Sequence, residues 1–331
     1  MNAADFRPRA GLRNAHVQSL LGSIGLRRWL FARRRAALEG AATAIILDCG
    51  EGVRLQGFHT PQRAFAAARG LVVLLHGWEG SVQSSYLLHA GARLLDEGFD
   101  VFRLNFRDHG VTHHLNRGIF HSCRIDEVVG AVGTVAARFA QRPLAIAGFS
   151  LGGNFALRVA LRAPAAGIPL AYALAINPVI DPAACLAALE TAPWFYQRYF
   201  LRKWRGSLRR KQTAFPGREL FTRAELSGNL RELTRSLVLR HTDFGSLENY
   251  LDGYSIAGER LSALRVPATL LAAADDPIIP LADFRRLTLP PQVELQIADH
   301  GGHCGYLRDL SLRSWSEDFV AERMLRHLVA V

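Results

Sequence analysis

Cysteine is scarce. The chain of 331 residues has four, Cys49, Cys123, Cys185 and Cys304, with no C-x-x-C pair and no zinc-ligand spacing among them. So few thiols exclude a disulfide framework, and free thiols in a reducing, cytoplasmic setting are the expectation. Lysine is scarcer: of 40 lysines and arginines, only Lys203 and Lys211 are lysine. Long apolar runs are missing as well. None approaches the roughly 18 residues that a membrane-spanning helix requires, and the opening MNAADFRPRAGLRN lacks the apolar core of a secretion signal. There is no internal repeat, no low-complexity tract and no nucleic-acid-binding motif. A soluble protein without a nucleic-acid partner is therefore expected. Its net charge of +11 leaves peripheral contact with an anionic membrane surface open. Oligomeric state is not encoded in any pattern of this kind.

What is present is an alternation of strand and helix signals. Residues 1–40 form a basic arm whose segment LRRWLFARRR (26–35) reads as a helix laid on the body through Trp29, Leu30 and Phe31. Thr43–Cys49 and Val53–His59 flank a glycine-containing turn and read as a hairpin. Leu71–Leu75 is wholly apolar, as a strand buried on both faces must be. Further strands are expected at Asp100–Asn105, Pro143–Ala147, Leu170–Ile176, Ala268–Ala273 and Val293–Ile297. Helices are expected at Ser84–Glu97, Arg124–Gln141, from Leu151 to about Arg162, at Leu281–Leu287 and at Ser314–Val329. Strand alternating with helix predicts a mostly parallel, doubly wound α/β sheet over 41–331. The alternation stops over about 179–260, where aromatics and arginines crowd together (WFYQRYFLRKWRGSLRRK), and a helical cap inserted into the sheet domain is the reading.

Gly148-Phe149-Ser150-Leu151-Gly152 fits G-x-S-x-G. The motif carries weight through its context: an apolar strand runs into Ser150 and a helix leaves it, so the hydroxyl is held over the carboxyl edge of the sheet. A serine hydroxyl needs a base, and in this chain order the base follows the last strand. His303, in Asp299-His300-Gly301-Gly302-His303-Cys304-Gly305, is favoured over its neighbour His300. The acid that orients the imidazole belongs after the preceding strand, where Asp275 and Asp276 are adjacent. Asp276 lies four residues before Pro280 and is favoured, with Asp275 as a loop-capping residue. The expected oxyanion donors are the backbone N–H groups of Leu151, just past the serine, and Trp78, in the loop HGWEG after the third strand. His76 in that loop is given a structural role. His109, His113, His114, His121, Asp108 and Cys123 cluster in one stretch but match no zinc motif. They are read as solvated or locally bonded residues near the rim of the site, and no metal is assigned.

Six segments, RAGLRNAHVQSL (9–20), HGWEGS (76–81), NFRDHG (105–110), GFSLGGN (148–154), AADDPIIP (273–280) and HGGHCGY (300–306), resemble in order and spacing the YheT-like esterase family. The resemblance implies an α/β-hydrolase fold and carboxylic-ester hydrolysis without a cofactor, and it carries the triad onto Ser150, Asp276 and His303. Asp108-His109 departs from the glycine and small residue of many relatives. The expected partner is a small-molecule ester or lipid-like substrate. The same triad would equally serve an acyltransferase or thioesterase, and a non-catalytic binding module is the remaining alternative.

Overall fold

The computed structural model describes residues 1–23, 26–217 and 219–329, so small parts of the expected arm, cap and C-terminus (24, 25, 218, 330 and 331) lie outside it. The chain opens with α1 (Ala15–Ser23), α2 (Leu26–Leu30) and α3 (Ala32–Gly40). The antiparallel hairpin β1 (Thr43–Asp48) and β2 (Arg54–Thr60) follows, then β3 (Leu71–Leu75), α4 (Ser85–Asp96) and β4 (Asp100–Leu104). Next come α5 (Ile125–Arg138), β5 (Leu144–Phe149), α6 (Leu151–Arg162) and β6 (Leu170–Ile176). Five helices then succeed one another: α7 (Pro182–Thr191), α8 (Trp194–Ala214), α9 (Arg223–Ser227), α10 (Leu230–His241) and α11 (Leu247–Asp252). The alternation resumes with β7 (Ala268–Ala273), α12 (Leu281–Arg285), β8 (Val293–Ala298) and α13 (Trp315–Leu328).

The eight strands form one sheet in the order β1-β2-β4-β3-β5-β6-β7-β8, parallel from β4 to β8. The mostly parallel, doubly wound sheet expected from the alternation is the one observed, in keeping with the α/β-hydrolase fold that the family resemblance implies. Strands β3, β4, β5 and β7 are buried along their whole length, and β3 and β5 are accordingly apolar without alternation, whereas β4 also buries Asp100 and Arg103. One face of the sheet packs on α5, α6 and the inserted helices through residues such as Val128, Val132, Phe155 and Leu233. The other packs on α4 and α13 through Leu87, Leu88, Phe319 and Met324, with Leu38 of α3 added.

The order places the chemistry. From β3 the chain crosses to β4 on one side and returns to β5 on the other. The loops leaving β3 and β5 therefore meet at a topological switch point on the carboxyl edge, where such sheets bind ligands. Leu75 pairs with Gly148, so the HGWEG loop and Ser150 leave the sheet in register.

The inserted helices carry their own start signals. Asp181 caps α7, and Thr222/Glu225 and Asn229/Glu232 form reciprocal capping boxes on α9 and α10. Asn154 of α6 donates to the carbonyls of Val179 (2.9 Å) and Tyr254 (2.8 Å) and thereby ties together the two ends of the insertion.

The arm differs from its sequence reading. Trp29 is 75% exposed and Leu30 is also exposed, while Phe31 meets the His89 ring, 5.2 Å between centroids. The arm docks instead through other apolar residues, the buried Phe6, Leu12 and Leu38, and through polar groups. Buried Gln18 donates to the carbonyls of Leu12 (2.7 Å) and Leu307 (3.0 Å) and accepts from the Leu307 N–H (2.7 Å). Arg27 is buried on Glu317 and the carbonyl of Leu312. A side chain at Gly22 would meet the backbone of Gly305 at 2.9 Å, so α1 lies directly on the loop that follows β8.

Candidate active site

Ser150 lies between β5 and α6 with φ 55° and ψ −121°, a left-handed backbone that an L-residue adopts only at a cost. The turn requires glycine on either side. A Cβ on Gly148 would meet the Gly152 carbonyl at 2.0 Å, and one on Gly152 would meet the His76 and Leu75 carbonyls at 2.5 Å. Those contacts give the G-x-S-x-G spacing its physical meaning: the strand doubles back into the helix with no space for a side chain.

His303 stands over Ser150, with Nε2 2.9 Å from Oγ. Its Nδ1 is 2.9 Å from Oδ2 of Asp276, whose side chain is fully buried. Asp276 Oδ1 accepts from the N–H groups of Ile278 (2.8 Å) and Ile279 (3.1 Å), and Asn177 Nδ2 donates to Oδ2 at 2.5 Å. A buried carboxylate held by several donors keeps its position. Asp275 faces elsewhere. It accepts from the Gly302 N–H at 2.9 Å, and its other oxygen lies 3.6 Å from His300. The ring that meets Ser150 is that of His303, and the carboxylate on that ring belongs to Asp276.

Four residues that brace this chain were not singled out in the sequence. Ser19 of α1 accepts the His303 backbone N–H at 2.8 Å. Asn177, with φ 44° at the end of β6, bridges Asp276 and the Gly302 carbonyl, and Tyr306 O–H donates to its Oδ1 at 2.6 Å. Tyr86 of α4 accepts the Gly77 N–H at 2.9 Å and packs its ring, tilted by 42°, against Phe149. A polar residue closing an apolar strand, as in AINP, was the available signal for Asn177. Ser19, Tyr86 and Tyr306 carry none.

The backbone N–H groups of Trp78 and Leu151 both border the cavity at Ser150, and neither donates to another described residue. His76 is buried beneath them. It donates from Nδ1 to the Gly77 carbonyl (2.8 Å) and accepts the Phe106 N–H on Nε2 (3.3 Å), and burial lowers it to about 4, so it is neutral. That is a loop-holding role.

The histidine-rich stretch is less solvated than its sequence suggests. His109 is buried, donates to the Arg107 carbonyl (2.7 Å) and accepts the Glu79 N–H (3.2 Å). His113 reaches across to Ser207 of α8 at 2.8 Å. Beside them Lys211 of α8 is buried on Asp108, 2.8 Å away, with the carbonyls of His113 and Asn116 as its other acceptors. Lys203 of the same helix donates to the Glu79 carbonyl at 2.8 Å. Both lysines of the chain thus fasten the insertion to the loops that follow β3 and β4. Buried polar partners explain this: the stretch is locally bonded, as expected, and also receives α8, while its Gly110, Phe120, His121 and Ser122 line the cavity. No cluster of three His, Cys, Asp or Glu side chains fit to hold a metal occurs among the described residues.

The cavity over Ser150 and His303 has a volume of about 490 Å³. The insertion supplies leucines to its wall (Leu186, Leu189, Leu230, Leu237, Leu251), while Glu79, Ser81, Gln83 and Ser84 line another part. No helix among the described residues is long and apolar enough to cross a membrane.

Residues 70–310 match the family described as alpha/beta hydrolase fold. The chain is 28% identical to the presumed esterase YheT of Escherichia coli over 99% of its length and 95% of that protein's. It is 23% identical to the mouse phospholipase ABHD3, covering 79% of this chain and 65% of the relative. Among solved structures, an esterase of Pyrococcus furiosus superposes over 87% of this chain and 91% of its own, with a TM-score of 0.56 at 16% identity. The chain belongs to the α/β-hydrolase family and resembles YheT along nearly its whole length.

Proposed function

We propose that the protein is a serine hydrolase that cleaves carboxylic esters through an acyl-enzyme. The observation that carries this reading is the hydrogen-bonded chain from Asp276 through His303 to Ser150, with the serine on a strained turn open to a partly apolar cavity. Ser150 Oγ attacks the ester carbonyl while His303 Nε2 takes its proton. Asp276 holds the Nδ1–H and stabilises the imidazolium. The oxyanion is received by the N–H groups of Trp78 and Leu151. His303 returns the proton to the departing alcohol, and a water molecule activated by the same ring releases the acid. The substrate is a small ester or lipid-like molecule whose apolar part lies against the leucines of the insertion. The relatives named as esterases and a phospholipase support an ester as the bond attacked.

The test is labelling with a fluorophosphonate probe and hydrolysis of a p-nitrophenyl ester series, with Ser150→Ala as control. Wild type should label and turn over, and the variant should do neither. Equal hydrolysis by both would overturn the assignment. Adding alcohols during turnover measures how much acyl group goes to an acceptor other than water.

A further inference from the structure

Glu79 is used by none of these steps, yet it borders the same cavity. It follows Trp78 in the HGWEG loop, and its neighbour Gly77 packs against the nucleophile: a Cβ on Gly77 would lie 3.2 Å from that of Ser150. Its backbone is fully committed, the N–H to His109 and the carbonyl to Lys203. Its carboxyl group is not. The residue is only 9% exposed, and no described residue donates a hydrogen bond to either carboxyl oxygen or forms an ion pair with it. Neither oxygen is among the described buried polar atoms left without a partner, so the carboxyl group opens onto the cavity, where a donor on a ligand can reach it. The backbone is held at a cost. Glu79 has φ 54°, a conformation that glycine adopts without penalty, so the position carries a side chain at the expense of strain.

The surroundings say what kind of partner fits. The charges of Lys203 and Arg210, both lining the cavity, act on Glu79 and would repel a cationic ligand. Asp108, the other charge acting on it, is already paired with Lys211. Burial raises Glu79 to about 7, so near neutrality it is present both as carboxylate and as acid. Such a group suits an uncharged donor that can also accept. Ser81, Gln83 and Ser84 beside it add further polar groups to a cavity that the insertion lines with leucines and aromatic rings such as Phe200 and Trp204.

We infer that Glu79 is a specificity-determining residue that accepts a hydrogen bond from a hydroxyl on the polar arm of the ester, while the apolar arm lies against the leucines. This deepens the ester-hydrolase reading and rests on it. The substrate class is an ester that is apolar on one side of the scissile bond and hydroxylated on the other, such as an acyl ester of a glycol or glycerol.

Matched pairs of esters test it. Butyl butanoate is compared with 2,3-dihydroxypropyl butanoate, and butyl butanoate with butyl 4-hydroxybutanoate, so that the hydroxyl is offered on each side of the bond. A hydrogen bond to a charged acceptor predicts a wild-type kcat/KM preference of roughly tenfold or more for the hydroxylated member of one pair. Glu79→Leu should bring that ratio towards one. Glu79→Gln, which keeps an acceptor oxygen without the charge, should retain a smaller preference. A residue acting only on the fold would move both members of a pair equally and leave the ratio alone. Wild type with no preference in either pair, or ratios unchanged in both variants, overturns the inference. Should the leucine variant not fold, the wild-type ratio and the isosteric glutamine variant decide. Ser150→Ala is run on every ester: hydrolysis surviving it refutes the ester-hydrolase reading, whereas Ser150-dependent hydrolysis with unresponsive ratios refutes the role of Glu79 alone.

Discussion

Replacing Lys211 with methionine should loosen the inserted helices from the sheet domain. The ammonium is 1% exposed and serves three acceptors, Asp108 Oδ1 at 2.8 Å and the carbonyls of His113 and Asn116. Methionine fills a similar volume but leaves Asp108 buried with the Phe120 N–H, 2.9 Å from Oδ2, as its remaining donor. Breaking one side of a buried ion pair costs about 3–5 kcal/mol, chiefly through the charge left behind. For a chain of this size that corresponds to a fall in Tm of roughly 5–10 °C. Burial already raises Asp108, and losing Lys211 raises it further, because the cation is the largest influence lowering it. The folded variant then binds a proton that the unfolded chain releases, so its stability falls as pH rises from the unfolded carboxylate value through the raised folded one. The deficit relative to wild type should accordingly be larger at pH 8 than at pH 5. Adding Asp108→Asn to Lys211→Met removes the stranded charge and should recover part of the loss. Calorimetry or urea denaturation of the three proteins at both pH values measures this. A Lys211→Met protein within about 1 kcal/mol of wild type, or one whose deficit does not depend on pH, would refute the reasoning.

Three further outcomes are expected. Asp276→Asn should lower kcat by on the order of 10⁴-fold through a misoriented imidazole, whereas Asp275→Asn, which only braces the Gly302 N–H, should cost less than about tenfold; ester kinetics on both variants compare them, and equal losses would reassign the acid. Ser19→Ala removes the acceptor of the His303 N–H and should reduce kcat by roughly tenfold with little change in KM, so a change confined to KM would show that α1 does not position the ring. Burial lowers His76 to about 4 and His113 and His121 to about 3, so the folded state binds fewer protons than the unfolded state between those values and 6.5. Their stabilisation is complete above pH 6.5 and is lost as pH falls, about 3 kcal/mol for His76 alone, and denaturation at pH 7 and pH 4.5 should show that sign.

The strands were legible because a buried parallel strand has to be apolar throughout: LVVLL and LAIAGF admit no other environment. The serine turn was legible because Gly148 is dictated by the Gly152 carbonyl four residues on, although Gly152 answers to the carbonyls of Leu75 and His76 at the end of the neighbouring strand. Asp275 and Asp276 were harder to separate. They are adjacent and chemically identical, and only the path of the following loop aims one at His303 and the other at the Gly302 N–H.

Other features had no local signature. Ser19 meets His303 across 284 residues and Lys211 meets Asp108 across 103, and both belong to types found anywhere on a helix. The apolar letters of 26–35 pointed to Trp29 and Leu30, but the arm is held by Phe6, Leu12 and Leu38 together with Gln18 and Arg27, whose backbone acceptors include a loop near the other end of the chain. By itself, then, the sequence determined the mostly parallel α/β sheet and the placing of Ser150 at its carboxyl edge, since both follow from the glycine-bounded turn and the hydrophobic period. Tertiary structure alone decided which carboxylate meets the ring, what holds the insertion down and which carboxyl group faces the cavity without a partner, because those depend on long-range hydrogen bonds whose two ends share no local pattern.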